Sequence, residues 1–272
     1  MKQILYILVA VVLCGCEVIR EQDRWIEVPI PQTFSERTHV LVEYTGFKCV
    51  NCPKAAAAAQ DLSSMYGEKL IVVAMHPASN PFTQGVSKYD YTCPEADIYY
   101  QYMGGTAQTG FPTGNMDFVK SEKGYFSDFQ EWPGIVASSM LDTTDLHIEI
   151  TEAKGDTVSH EVNVSISAYT GEDTECRIAV WVVEDSIKGA QRMPDGTNNM
   201  EYYHRHVLRQ TTGDDPWGEP VQLNGHQQTL RQHSTLPAEY DMKHCHVVAV
   251  AIDPNDKHIL NAAEASINII QQ

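Results

Sequence analysis

Basic residues are scarce in this 272-residue chain: 19 Lys and Arg stand against 36 Asp and Glu, a formal net charge of −17. That balance excludes a protein that tracks a phosphate backbone, which needs clustered cations. It equally excludes one held by anionic lipid headgroups. The chain also lacks an apolar run of the roughly 20 residues that cross a bilayer as a helix. There is no second CxxC to complete a four-thiolate zinc site, and residue 53 is Pro where haem attachment needs His. Internal repeats and low-complexity tracts are missing. What remains is a chain with a 43% hydrophobic share, enough to bury a real core.

The first residues carry a positive start at Lys2 and a continuous apolar run from Ile4 to Leu13. That length fits a secretory signal peptide. The following Leu13-Cys14-Gly15-Cys16 resembles the lipobox of bacterial lipoproteins. The resemblance implies removal of residues 1–15 and a lipid on Cys16, leaving a tether over 16–24. An exported chain faces an oxidising compartment in which disulfides persist. Five cysteines then remain available, 49, 52, 93, 176 and 245, so at least one thiol has no partner within the chain.

Beyond a predicted edge strand around Trp25 to Val28, "THVLVEYT" reads as a buried strand. The run "CPKAAAAAQDLSSMYG" reads as an alanine-rich helix closed by Gly67, and "KLIVVAMHP" as a second buried strand. Strand, helix and strand of these lengths predict a βαβ unit with parallel strands. A further helix is expected in "PEADIYYQYMG", a turn in "TGFPTGNMD" and a last helix near Pro133. From about residue 144 the texture changes to strand-like segments separated by Gly, Asp and Asn clusters. These predict an all-β antiparallel sandwich over 144–272, of immunoglobulin- or fibronectin-like type, after an α/β domain over 25–143.

The pair Cys49 and Cys52 lies between the first strand and its helix. Either it staples a loop or it exchanges electrons with other thiols. Position favours exchange, because free N–H groups and the dipole of a helix N-terminus stabilise a thiolate. On that reading Cys49, at the outer end, attacks, and Cys52, one turn inside, is shielded and resolves. The segment "VLVEYTGFKCVNCPK" resembles the active-site segment of thioredoxin-like proteins. The resemblance implies that Glu43, six positions before Cys49, is a buried acid that moves the proton of Cys52. The other reading leaves Glu43 as the exposed end of a strand. "GFPTGNMDF" is similar to the family's cis-proline loop, so Pro112 would shape the substrate groove, with Phe111 and Thr113 contacting a substrate chain. The Val50-Asn51 dipeptide matches neither reducing nor oxidising members, so the direction of electron flow stays open.

Over most of its length the chain resembles the 28-kilodalton outer-membrane lipoprotein family of Gram-negative bacteria, through the lipobox, "EYTGFKCVNCP", "VVAMHP", "GFPTGNMD" and "YYHRHVLR". The resemblance implies a lipid-anchored protein of the outer membrane, periplasmic or surface-exposed. Its partners would be cysteine-containing envelope proteins or a surface partner, with no nucleic acid and no cofactor. The rival to redox work is adhesion or assembly, with the CxxC as an inert bridge.

Two histidine pairs, His204 with His206 and His244 with His246, would share one face of their strands at a period of two. Such pairs bind zinc or copper, but also occur on solvated strands, and no metal is assigned from them. If the strands opened by Cys176 and Cys245 are antiparallel neighbours, these two cysteines fall at opposite ends and do not bond; if the strands run the same way in facing sheets, a bridge is feasible. Asp142-Thr143-Thr144, Asp156-Thr157-Val158 and Asp185-Ser186-Ile187 resemble an O-glycosylation pattern of some bacterial lipoproteins.

Overall fold

The computed structural model describes residues 35–85 and 90–270, so the signal peptide, Cys16, the tether and the strand expected at Trp25 lie outside the described residues. The N-terminal elements are β1 (Ser35–Glu36), β2 (His39–Tyr44), α1 (Cys52–Tyr66), β3 (Leu70–Met75), α2 (Pro94–Tyr102), β4 (Thr113–Met116), α3 (Trp132–Ser139) and β5 (Thr143–Thr144). Strands β2 and β3 are parallel, with Val42 opposite Val73. Every residue of both is buried, which is why they read as unbroken runs rather than alternating ones. The alanines of α1 let it sit close to the sheet: Ala55 and Ala59 are fully buried there. Pro53 occupies its first turn, where no N–H is needed, and Gly67 ends it at φ 56°. Strand β4 pairs antiparallel with β2, Thr113 facing Tyr44.

The second half contributes β6 (His147–Asp156), β7 (Glu161–Tyr169), β8 (Asp173–Glu184), β9 (Ile187–Arg192), β10 (Asn198–His204), β11 (Val207–Thr211), β12 (Glu219–Asn224), β13 (Gln228–Thr235), β14 (Cys245–Ile252), β15 (Ile259–Ser266) and β16 (Asn268–Ile270). The chain is thus β-rich, and its sheets are mixed. The largest runs β15-β14-β8-β11-β3-β2-β4, with β12 also beside β8. Strand β11 is the joint: antiparallel to β8, and parallel to β3 through a single pair, Val207 and Ala74. Strands from before and after residue 143 therefore share one sheet.

Each face of that sheet is covered. Along one face a continuous core joins Val42, Tyr44 and Val73 to Trp181, Val183 and Val248, with Tyr99 and Tyr100 of α2 lying over it. The indole Nε1 of Trp181 donates to the Tyr99 hydroxyl at 3.0 Å, satisfying two polar atoms inside that core. On the other face α1 and α3 cover β2 and β3, while the four-stranded sheet β13-β7-β6-β16 covers the strands of the second half. A separate hairpin, β9 and β10, leaves this body and returns over the N-terminal half.

The carboxylate of Asp117, just past β4, pins the halves together. It accepts from Val40 N at 2.7 Å and Arg37 Nη2 at 3.2 Å, and lies 2.6 Å from His39 Nδ1. Its own carbonyl accepts from Ile259 N of β15. Strands β8 and β14 are antiparallel neighbours, with Cys245 opposite Glu184. Eight residues separate that position from Cys176, roughly 27 Å of strand. The two thiols stay free, as does Cys93, and all three are buried.

Candidate functional site

Cys49 and Cys52 form a disulfide at the N-terminus of α1, their Cα atoms 5.4 Å apart. The loop before it is tight. Cys49 N donates to Gly46 O at 3.0 Å, and Lys48 N donates to Phe82 O at 3.1 Å. A Cβ on Gly46 would stand 2.6 Å from Phe82 O, so only glycine fits. Cys52 N points at Cys49 Sγ from 3.1 Å, the first of the helix-terminal amides that would stabilise a thiolate there.

Glu43 lies beneath the pair. It is buried rather than exposed at a strand end, with 3% of its surface accessible. Burial drives its carboxyl from the ordinary 4.5 up to about 8, partly offset by a hydrogen bond from Thr45. Its Oε1 has no hydrogen-bond partner. Glu43 and Cys52 line the same small cavity of about 30 Å³, room for one water. His76 and His204 border it as well, and burial pulls both below the ordinary imidazole range, His204 to about 4. Three of the groups on its wall, Glu43, His76 and His204, can thus hold or pass a proton, and Arg205 is the charged group beside them.

The expectation of an outer, accessible Cys49 fails. Cys49 is 1% exposed and Cys52 2%. The cover is the β9–β10 hairpin: Gln191 Nε2 donates to Cys49 O at 2.9 Å, and Arg192 N donates to Phe47 O at 2.8 Å. Gln191 is itself buried. Nothing local to the CxxC foretells this, because the cover arrives from some 140 residues downstream. Beside it a groove of about 740 Å³ opens between Phe47 and Lys48 on one side and Gln191, Arg192 and Met200 on the other.

The peptide between Phe111 and Pro112 is cis. Phe111 stacks on Phe82, ring centroids 5.9 Å apart, and Phe82 carries the carbonyl that holds Lys48. Thr113 is taken up in the sheet, its hydroxyl donating to Ser127 O at 3.1 Å. The four histidines do not share strand faces as their even spacing predicts. His206 sits between β10 and β11 at φ 56°, which breaks the alternation after His204. His244 ends a short 3₁₀ turn before β14 and is half exposed, 3.5 Å from Asp241. His204 packs against Tyr91 and His76. His206 and His246 do meet, but over Asp185 and apart from the other two.

Residues 96–271, about two thirds of the chain, match the family described as outer membrane protein Omp28. The chain belongs to that family. Membership places it at the outer membrane, and the matched span starts after the CxxC. Among solved structures, HBP35 of Porphyromonas gingivalis is similar over 86% of this chain and 76% of its own, with 16% identity and a TM-score of 0.67. A protein of Agrobacterium tumefaciens is similar over 88% and 98%, with 15% identity and a TM-score of 0.51. A domain of the outer membrane lipoprotein Omp28 from Porphyromonas gingivalis aligns over 47% and 92% at 16% identity, with a TM-score of 0.34. At these identities the first two share a fold with this chain and nothing more. No curated protein matches the sequence.

Proposed function

We propose that this Omp28-family protein is a lipoprotein, anchored through Cys16, whose Cys49–Cys52 pair exchanges disulfides with cysteine-containing envelope proteins. On this reading residues 25–143 are a thioredoxin-like domain, and 144–272 a β-sandwich fused to it along one sheet. The βαβ unit with CxxC at the helix start, and the cis peptide before Pro112, support that reading. The observation that carries it is Glu43. A carboxyl buried with an unpartnered oxygen destabilises a fold, and an inert staple has no use for one beside its inner sulfur. Perturbed acids of this kind concentrate at reactive sites.

In the reduced protein the Cys49 thiolate attacks a partner disulfide, and one partner sulfur leaves as thiolate. Cys52 gives its proton through the cavity to the ionised form of Glu43, the minor form at neutral pH for a carboxyl raised to about 8, and attacks Cys49 Sγ. The second partner sulfur then leaves, and the disulfide seen here is restored. Run backwards, the same steps oxidise a partner dithiol. Either direction requires the hairpin to lift from Cys49.

The sealed state of the pair favours one second reading, a binding or adhesive lipoprotein in which the bridge is structural. Cys52→Ser separates them. Mixed disulfides through Cys49, and a potential for the wild-type pair above about −300 mV, support exchange. A lower potential, with nothing captured under conditions that trap a known oxidoreductase, supports the structural bridge. Loss of lipid labelling and of membrane retention in Cys16→Ser tests the anchor.

A further inference from the structure

Asp185, His206 and His246 come from three separate places in the chain and converge at one end of the main sheet. Asp185 follows β8, His206 precedes β11 and His246 lies in β14. Each offers one ligand atom, and these three atoms lie within 4.8 Å of one another. Asp185 Oδ1 stands 3.5 Å from His206 Nδ1, and Oδ2 stands 3.5 Å from His246 Nδ1. Those separations exceed a hydrogen bond. Each is close to the edge of a tetrahedron, about 3.4 Å, drawn around an ion with ligands at 2.0–2.1 Å. The two run to different carboxylate oxygens, so a bound ion would take one of them after a turn of the side chain.

The surroundings prepare the same geometry. His206 N donates to Asp185 Oδ1 at 2.7 Å, which holds the carboxylate, and Asp185 N donates to His244 O at 2.9 Å, which holds its backbone. Ser186 and His206 both take left-handed backbone conformations, at φ 60° and 56°, uncommon for residues with a Cβ. His246 Nε2 lies 2.9 Å from Glu264 Oε1, a hydrogen-bonding distance without the alignment. A small rotation of the half-exposed Glu264 carboxylate would align it. So aligned, it would keep the proton on Nε2 and leave Nδ1 free to ligate, the carboxylate–imidazole relay found behind metal-bound histidines. The buried Nε2 of His206 has no hydrogen-bond partner.

We propose that Asp185, His206 and His246 bind one divalent first-row ion, zinc fitting two imidazoles and a carboxylate best, with Glu264 orienting His246 from behind. A bound ion ties the ends of β8, β11 and β14 together at the joint where Ala74 N donates to His206 O. It also fixes the segment 204–206, whose first two residues wall the Cys52 cavity. The assignment is independent of the redox reading.

The test uses the untagged full-length chain in detergent, stripped with chelator and titrated with Zn(II) by calorimetry and with Co(II) by visible absorption. One equivalent bound, with the intense visible bands of four-coordinate Co(II) and no thiolate charge-transfer band, is the expected result. His206→Asn and His246→Gln should each weaken zinc binding at least 100-fold, and Glu264→Gln some 10-fold. His244→Ala should leave it unchanged. Circular dichroism checks that each variant folds, and the wild-type Co(II) spectrum stands even if one does not. Failure of the folded wild-type chain to retain an equivalent, a thiolate band, or unchanged affinity in a folded His206→Asn protein would overturn the assignment.

Discussion

Two acids lie almost equally buried in the N-terminal half, Glu43 at 3% exposure in β2 and Asp117 at 2% just past β4, yet their surroundings are opposite. Asp117 is ringed by donors: the Val40 amide, the Arg37 guanidinium and the His39 ring. Glu43 receives one hydrogen bond, from Thr45, and leaves an oxygen bare beside a water-sized cavity. Depth alone does not decide what a carboxyl does; the donors around it do. One acid is built into the scaffold, and the other is left holding a proton next to a sulfur.

Removing the saturated acid should have the largest effect. Asp117→Ala takes the buried charge partner from Arg37 and leaves the His39 ring and the Val40 amide without their acceptor, and should destabilise the fold by about 3–5 kcal/mol in denaturant unfolding. A loss under about 1 kcal/mol would show that this acid, too, is dispensable. Glu43 should act through pH instead. Its carboxyl titrates near 8 when folded and near 4.5 when unfolded, so between those values the folded chain binds the extra proton. Stability should therefore fall as pH rises from about 4.5 to 8, by on the order of 5 kcal/mol, and then level off. Glu43→Gln should flatten that slope, and a slope unchanged in the variant would remove the contrast between the two acids.

The same Glu43→Gln change should slow disulfide exchange about 100-fold, the usual range for losing a positioned proton carrier. Stopped-flow kinetics with a model dithiol reads this directly. The smallest effect belongs to the cover. Gln191→Ala deletes one hydrogen bond to Cys49 O, worth about 1 kcal/mol, and should speed reduction of the pair by about 5-fold. Equal rates in the two proteins would mean that the hairpin does not limit access.

Much of the N-terminal half is legible locally. The buried runs of β2 and β3, the alanines of α1, Pro53 and Gly67 each carry a short-range signal for the element they form. Glu43 is marked only by its distance from Cys49, and its depth depends on strands that arrive later. Two features were out of reach. The cover over Cys49 is a contact between residues 49 and 191, and no local pattern encodes a contact at that range. The histidine faces fail for a sharper reason: a period of two holds only while the backbone stays extended, and His206 leaves that region. Asp185 stands out in the sequence only within a possible modification pattern, and Glu264 not at all. Both acquire meaning from strand order.

The lone Val207–Ala74 pairing where β11 meets β3 has a practical corollary. A truncation at residue 143 would strip β3 of its neighbour and bare a hydrophobic flank of Tyr44, Val73 and Tyr99 that Trp181 and Val183 now shield. Such a piece would present an open, sticky border to its own copies and clump. Dissection by point substitution will be informative where dissection by cloning fragments will not.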